Sequence, residues 1–280
     1  MSKEYNLITN ETYETVKGAI PYNLTNDYMF KATLQECNKS LLGIVSALLR
    51  VDPSSLVVSV ANPMVLGRNL ANKDFFLDVR VIVNNFKHMN LEMQVSNEGN
   101  WLERSVSYTS RMFDSLIAGH DYKEVISVHH VGFINFNLFS DDNRFYETFA
   151  LTNSDNNRIY TNKFLVSVVN LLQINEATAE DRLFKLDQWA KLITANTWEE
   201  LKELAKEDSY MEATARTLFN LSQDFDTMEN ARRREMYYAD LKRRDDTIAE
   251  QEARIANLEA ENARIADLEA EIAKLHAMLS

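Results

Sequence analysis

The chain is poor in residues that interrupt or cross-link a backbone. Its 280 residues include one cysteine, three prolines and six glycines. The single thiol, Cys37, excludes an internal disulfide and suits a reducing, cytoplasmic setting. It lies in an apolar helical stretch, where an inert buried thiol is expected rather than a nucleophile. The shortage of Pro and Gly predicts long regular elements. No apolar run reaches about 18 residues and no charged-then-apolar leader opens the chain, so neither a membrane span nor export is expected. Cations are also outnumbered, 30 Lys and Arg against 42 Asp and Glu for a net charge of −12. That balance argues against broad adhesion to nucleic acid but leaves room for one local basic groove. With 45% apolar residues the chain can build one sizeable core and an appendage.

What is present centres on residues 75–95, FFLDVRVIVNNFKHMNLEMQV. From Phe75 to Val83 the residues are aromatic or β-branched around one Asp and one Arg, which favours a strand. Asn84 and Asn85 tolerate the left-handed conformations of a tight turn. A returning strand from His88 or Met89 to Val95 follows. Alternation puts Glu92 and Gln94 on one face and Leu91, Met93 and Val95 on the other. With the turn centred near Asn85, Asp78 falls opposite Glu92, at a Cβ separation of roughly 4.5–5.5 Å. Two carboxylates that close repel unless a cation lies between them, and a hard divalent ion such as Mg²⁺ is the simplest remedy. The plainer reading is an ordinary hairpin whose solvent face carries Asp, Arg, Glu and Gln. Against it stand Phe75, Phe76, Leu77, Val79, Val81, Ile82 and Val83, which make the first strand apolar on both faces, as in a strand covered on both sides. An acid there is costly unless paired or bound to metal.

Around the hairpin the pattern predicts an α/β unit. A polar lead-in ends at Pro21, and Thr25 or Asn26 caps a helix with Asp27 in its first turn. Helical spacing continues to Arg50, with a break near Asn38-Lys39-Ser40. Leu56–Val60 predicts a short first strand. Glu98–His120 reads as one amphipathic helix, with Leu102, Val106, Thr109, Phe113, Leu116 and Ile117 facing the sheet. Trp101, Arg104, Tyr108 and Arg111 then fall on the outer side, as a solvated face or as groups contacting a phosphate backbone. Val125–Phe139 is strongly β-prone; its His129 and His130 have no companion at ligand spacing and read as structural. Residues 144–151 and 164–172 are further strand candidates, the second also compatible with helix. From Thr178 onward segments 178–194, 197–207 and 209–246 are helical. The basic runs at 232–234 and 242–244 are offset by acidic neighbours and read as solvated helix surface.

The tail is more regular. ARIANLEAEN (253–262) and ARIADLEAEI (263–272) are a near-repeat. The apolar seam Ile255, Leu258, Asn262, Ile265, Leu268, Ile272, Leu275, Leu279 predicts a coiled coil with one stammer between Ile265 and Leu268. Asn262 suits a register-setting polar position, so a homo-oligomer assembled through 247–280, with a dimer favoured, is expected. A helix folding back on its own domain is the alternative.

Residues 22–140 resemble the recombination-promoting nuclease family, described also as transposases, a branch of the PD-(D/E)XK nuclease superfamily. The pieces that carry the likeness are LTNDYMFK (24–31), LLGIVSALLRV (41–51), DFFLDVRV (74–81), NLEMQVSN (90–97), RSVSYTSRM (104–112), GHDY (119–122) and VISVHHVGFINFNLF (125–139). The resemblance implies a PD-(D/E)XK-like mixed β-sheet flanked by helices in residues 1–175, followed by a helical region (176–246) and the coiled-coil tail. It implies Asp78 and Glu92 as Mg²⁺ ligands (Mn²⁺ could substitute), the Met93 carbonyl as a third, and Asp27 as the acid of the N-terminal helix completing the site. Gln94 stands where the wider superfamily has a lysine, and the proline that usually precedes the aspartate is replaced by Leu77. The implied activity is metal-assisted hydrolysis of DNA phosphodiesters, linked to recombination, mobile elements or defence, with Arg104, Tyr108 and Arg111 as candidate DNA contacts. Two other readings stay open: an RNA-directed nuclease, and a catalytically degenerate core that works as an interaction protein on its coiled coil.

Overall fold

The computed structural model describes residues 11–61, 79–97, 99–114, 125–139 and 144–279. The central hairpin forms as the alternation predicts. Strands β2 (Val79–Val83) and β3 (Lys87–Gln94) pair antiparallel with Val79 opposite Leu91 and Val81 opposite Met89. Asn84 and Asn85 both take positive φ, 48° and 61°, and the Phe86 amide donates to the Val83 carbonyl at 3.2 Å. That is the type I′ geometry whose twist matches the flanking strands. Asn84 also fastens the turn to the preceding chain, accepting from the Val57 amide at 2.7 Å and donating to the Ser55 carbonyl at 3.2 Å.

Among the described residues the sheet has six strands. To β2 and β3 are added β1 (Val58–Val60), β4 (Ser127–Ile134), β5 (Tyr146–Thr152) and β6 (Ile159–Asn170), in the order β1-β2-β3-β4-β6-β5. The β3, β4 and β6 strands are mutually parallel, and antiparallel strands close each side. Residues 164–170, which the sequence left between strand and helix, belong to β6. One sheet face, carrying Val79, Val81, Val83, Met89, Leu91, Met93, Val131 and Phe133, forms the main core with α1 (Asp27–Glu36) and α2 (Asn38–Leu49). The other face is covered by α3 (Trp101–Phe113), with Trp101 packed on Ile134, Val166 and Val168. The strand buried without a break, from Val128 to Ile134, is β4, not β2. In β2, Val79, Val81 and Val83 are buried while Arg80 is exposed and Ile82 half-buried, so the expected cover on both faces is absent there.

Helix α1 is capped by Asn26, whose side chain accepts from the Met29 amide at 3.2 Å. The expected break sits at Cys37, which ends α1 and caps α2 by accepting from the Ser40 amide on Sγ. The thiol is half-buried at a helix junction rather than inside a helix. The helices after the sheet, α4 (Ala179–Leu183), α5 (Leu186–Thr194), α6 (Trp198–Ala205) and α7 (Ser209–Leu221), begin at the predicted position. Thr178 and Asp181 form a capping box at the first of them. Leu186, Trp189, Ile193, Trp198, Leu201, Met211 and Leu218 join the same core as α1 and α2.

The last helix, α8 (Phe225–Leu279), passes through the boundary between two compact units, Met1–Arg234 and Glu235–Ser280. Its first part is held on α1: Asn26 donates to the Ala231 carbonyl at 3.0 Å and Asn230 to the Tyr28 hydroxyl at 3.3 Å. Arg234 is bound to Asp27, which corrects the reading of the 232–234 run as plain solvated surface. In the second unit the seam residues Ile255, Leu258, Ile265, Leu268, Ile272 and Leu275 are each about half exposed.

Candidate active site

The site grows out of the alternation of β3. Leu91 and Met93 turn into the main core, so Glu92 and Gln94 point to the opposite face, under α3. There a single guanidinium spans both: Arg104 Nη2 lies 2.8 Å from Glu92 Oε1 and also donates to Gln94 Oε1. The Gln94 amide nitrogen donates in turn to the Ser96 carbonyl at 2.7 Å, which fixes its oxygen toward the arginine. Glu92 is only 13% exposed at its side chain, where a carboxylate needs a partner of this kind.

This arrangement rolls α3 away from the face assigned to it. Leu102 and Val106 are 45% and 52% exposed, lining an open apolar groove with Phe149, Leu151 and Phe164, whereas Trp101, Ser105 and Thr109 are buried against the sheet; of the expected inner residues Thr109 keeps its place and Phe113 meets the Phe164 ring edge-on at 5.7 Å. Small Ser105 and Thr109 let the helix approach, and Gly132 receives the Trp101 ring. A Cβ at Gly132 would lie 2.5 Å from Trp101 Cζ2. The outer side read from hydrophobic count is thus the side that meets the site. Arg104 reaches the carboxylate and Tyr108 meets the ring of His130 edge-on at 6.2 Å. Arg111 is exposed.

The sequence missed His130. Parallel pairing sets His130 beside Asn90 on neighbouring strands, and Glu92 beside Gly132. His130 Nδ1 is 3.0 Å from Asn90 Nδ2, and its Nε2 is 3.5 Å from Glu92 Oε2. Burial, with the Arg104 guanidinium nearby, pushes its pKa down to about 3. His129 points to the opposite face, with Nε2 2.7 Å from Ser167 Oγ, and burial lowers it to about 3 as well. No local spacing signals His130, because its partners lie about 40 residues away and meet it only through strand pairing.

The remaining expected residues fall elsewhere. Asp78 lies outside the described residues, as do Gly119 and the other residues of the GHDY piece. Met93 has its side chain in the main core, 2% exposed. Asp27 is 3% exposed at the start of α1, a helix that packs on the sheet face opposite Glu92, and it is engaged by Arg234. Among the described residues no group of three or more His, Cys, Asp or Glu side chains is clustered for a metal ion. Glu92 and Gln94 do place a carboxylate and an amide oxygen side by side, and oxygen donors of this kind suit Mg²⁺ or Mn²⁺.

A family model described as PD-(D/E)XK nuclease family transposase matches residues 24–253. No curated protein and no solved structure matches the chain. The matched span contains the hairpin with Glu92 and Gln94, the α3 helix with Arg104 and the parallel strands beneath it, and the chain belongs to the PD-(D/E)XK nuclease family transposases.

Proposed function

We propose that the chain is a metal-dependent DNA endonuclease. The observation that carries the reading is the pairing of Glu92 and Gln94 on one strand face beneath a cation from α3. Asp78 is the proposed partner acid, because the alternation of the sequence about a turn near Asn85 puts it opposite Glu92. Asp78, Glu92 and the Met93 main-chain carbonyl would hold Mg²⁺ or Mn²⁺. Such an ion lowers the pKa of a bound water and stabilises charge on the leaving oxygen. In the reaction the water oxygen forms a bond to phosphorus as one P–O ester bond breaks, leaving a phosphate end and a hydroxyl end.

The chain's own residues supply orientation and charge. Gln94 can orient water through its amide but carries no charge. Arg104, one hydrogen bond away, is the local cation, and it also holds the Glu92 carboxylate. Tyr108 and Arg111 extend the same helix and are proposed to follow the DNA backbone.

The half-exposed seam within residues 247–280 supports a parallel proposal, that this segment forms a coiled-coil homodimer. Two nuclease units would then be delivered together for cuts on both strands. The other reading is a noncatalytic core that serves as an interaction module. Nicking of supercoiled plasmid with Mg²⁺, wild type against Asp78→Ala and Glu92→Ala, separates the two. Cleavage by wild type and none by either variant is expected, with equal thermal melting. A wild type that neither cleaves DNA nor binds Mn²⁺ would favour the interaction module, and cleavage of RNA in place of DNA would reassign the substrate.

A further inference from the structure

We propose that His130, oriented by Asn90, is a positioning residue that sets the second oxygen of Glu92. It rests on the reading of Glu92 as a site carboxylate. The Asn90 and His130 side chains are paired in register across β3 and β4, and both residues are almost wholly buried, 1% and 0% exposed. Asn90 Nδ2 lies 3.0 Å from His130 Nδ1. An amide nitrogen only donates, so Nδ1 accepts and the ring proton resides on Nε2. That N–H then faces Glu92 Oε2 at 3.5 Å. The separation is long for a hydrogen bond, and contacts of this kind tighten when a site is loaded.

The ring has little freedom to turn away. Trp101 lies at 6.0 Å and Tyr108 at 6.2 Å between ring centroids, both tilted against it. Glu92 is therefore held at Oε1 by the Arg104 cation and faced at Oε2, across 3.5 Å, by a neutral N–H of fixed tautomer. Two charged donors would hold the carboxylate more tightly and compete with a metal ion for its lone pairs. One charged and one neutral donor fix its plane while leaving it available. Partners that orient a ligating group in this way change metal affinity or activity by about 10- to 100-fold when removed.

The test uses the full-length protein. Nitrogen-15 NMR of the histidine rings reads the tautomer directly, and Nε2–H is expected for His130, shifting in Glu92→Gln. A ring protonated on Nδ1, with the Asn90 amide turned the other way, would overturn the proposal. In plasmid nicking, His130→Leu is expected to lose about 10- to 100-fold in kcat at unchanged KM for DNA, while His130→Gln, which keeps a donor near the same place, recovers part of it. Wild-type cleavage by His130→Leu, or equal losses in both variants at unchanged melting temperature, would refute it. If His130→Leu does not fold, Asn90→Leu takes its place, with a mixed tautomer and reduced kcat expected. Should the wild type fail to cut any substrate, the nuclease reading falls, and the tautomer and its response to Glu92→Gln still decide the relay.

Discussion

Arg234 lays its guanidinium on the carboxylate of Asp27, with Nε 3.1 Å from Oδ1 and 3.0 Å from Oδ2 and with Nη2 donating to Oδ2. Asp27 is 3% exposed and the Arg234 side chain 20%, so the pair joins the first part of α8 to the start of α1 largely out of water. Removing one member of a buried pair leaves the other charge uncompensated, at a cost of about 3–5 kcal/mol. Arg234→Met should lower the unfolding free energy of the full chain by that order in urea titration. Adding Asp27→Leu should restore part of it, because a pair replaced by apolar groups is often near neutral. No loss in the single variant would show that the pair contributes nothing.

Gly132→Ala places a methyl group 2.5 Å from Trp101 Cζ2 and 2.9 Å from Cε2. Neither the ring nor the strand can yield without moving α3, and overpacking of this kind typically costs about 1–3 kcal/mol. The variant should melt earlier, show altered tryptophan emission and cleave DNA poorly, since Arg104 shares the displaced helix. Gly43→Ala meets Trp189 and Tyr210 at 2.4 and 2.7 Å. It should destabilise to a similar degree without the local effect on cleavage, which separates the two causes.

His129 and His130 both have their pKa lowered by burial to about 3. Above the ordinary value of about 6.5 neither folded nor unfolded rings carry a proton, and the two add no pH dependence. Below it the unfolded chain takes up protons that the folded chain refuses, so stability falls as pH drops from about 6.5 toward 3. Each ring contributes a slope of about 1.4 kcal/mol per pH unit in that window. His129→Gln keeps a hydrogen-bonding group near Ser167 and removes one titration. Denaturant unfolding between pH 7 and 5 should show its slope reduced by that amount; an unchanged slope would mean the ring protonates in the folded protein.

Removal of residues 247–280 should convert a dimer to a monomer in sedimentation equilibrium. Asn262→Leu in the full chain should keep association while loosening the choice of oligomer, because a buried polar seam residue selects register at a cost in stability. A monomer both with and without the tail would exclude the coiled coil.

The hairpin was legible because a strand has period two and the Asn-Asn turn fixes its centre. That is enough to place Glu92 and Gln94 on one face and to count back to residue 78. The orientation of α3 was legible only in part, at Thr109 and Phe113. Apolar count favours Leu102 and Val106 as its inner side, while Ser105 and Thr109, small and polar, are what permit close approach to the sheet. His130 escaped for a different reason: it meets Asn90 and Glu92 through parallel pairing across a helical crossover, and no pattern within one strand encodes which strand lies alongside. Arg234 likewise finds Asp27 207 positions away in sequence.

The notch at Gly132 works as a keyway. Gly132 is the ladder neighbour of Glu92, and the ring that fills it precedes Arg104 by three residues, close to one helical turn. Rotation or sliding of α3 would have to lift a tryptophan out of that slot before the guanidinium could leave the carboxylate. The angular setting of the cation over Glu92 is thus indexed by volume and would survive the exchange of many polar neighbours, whereas any side chain added at residue 132 would reset it.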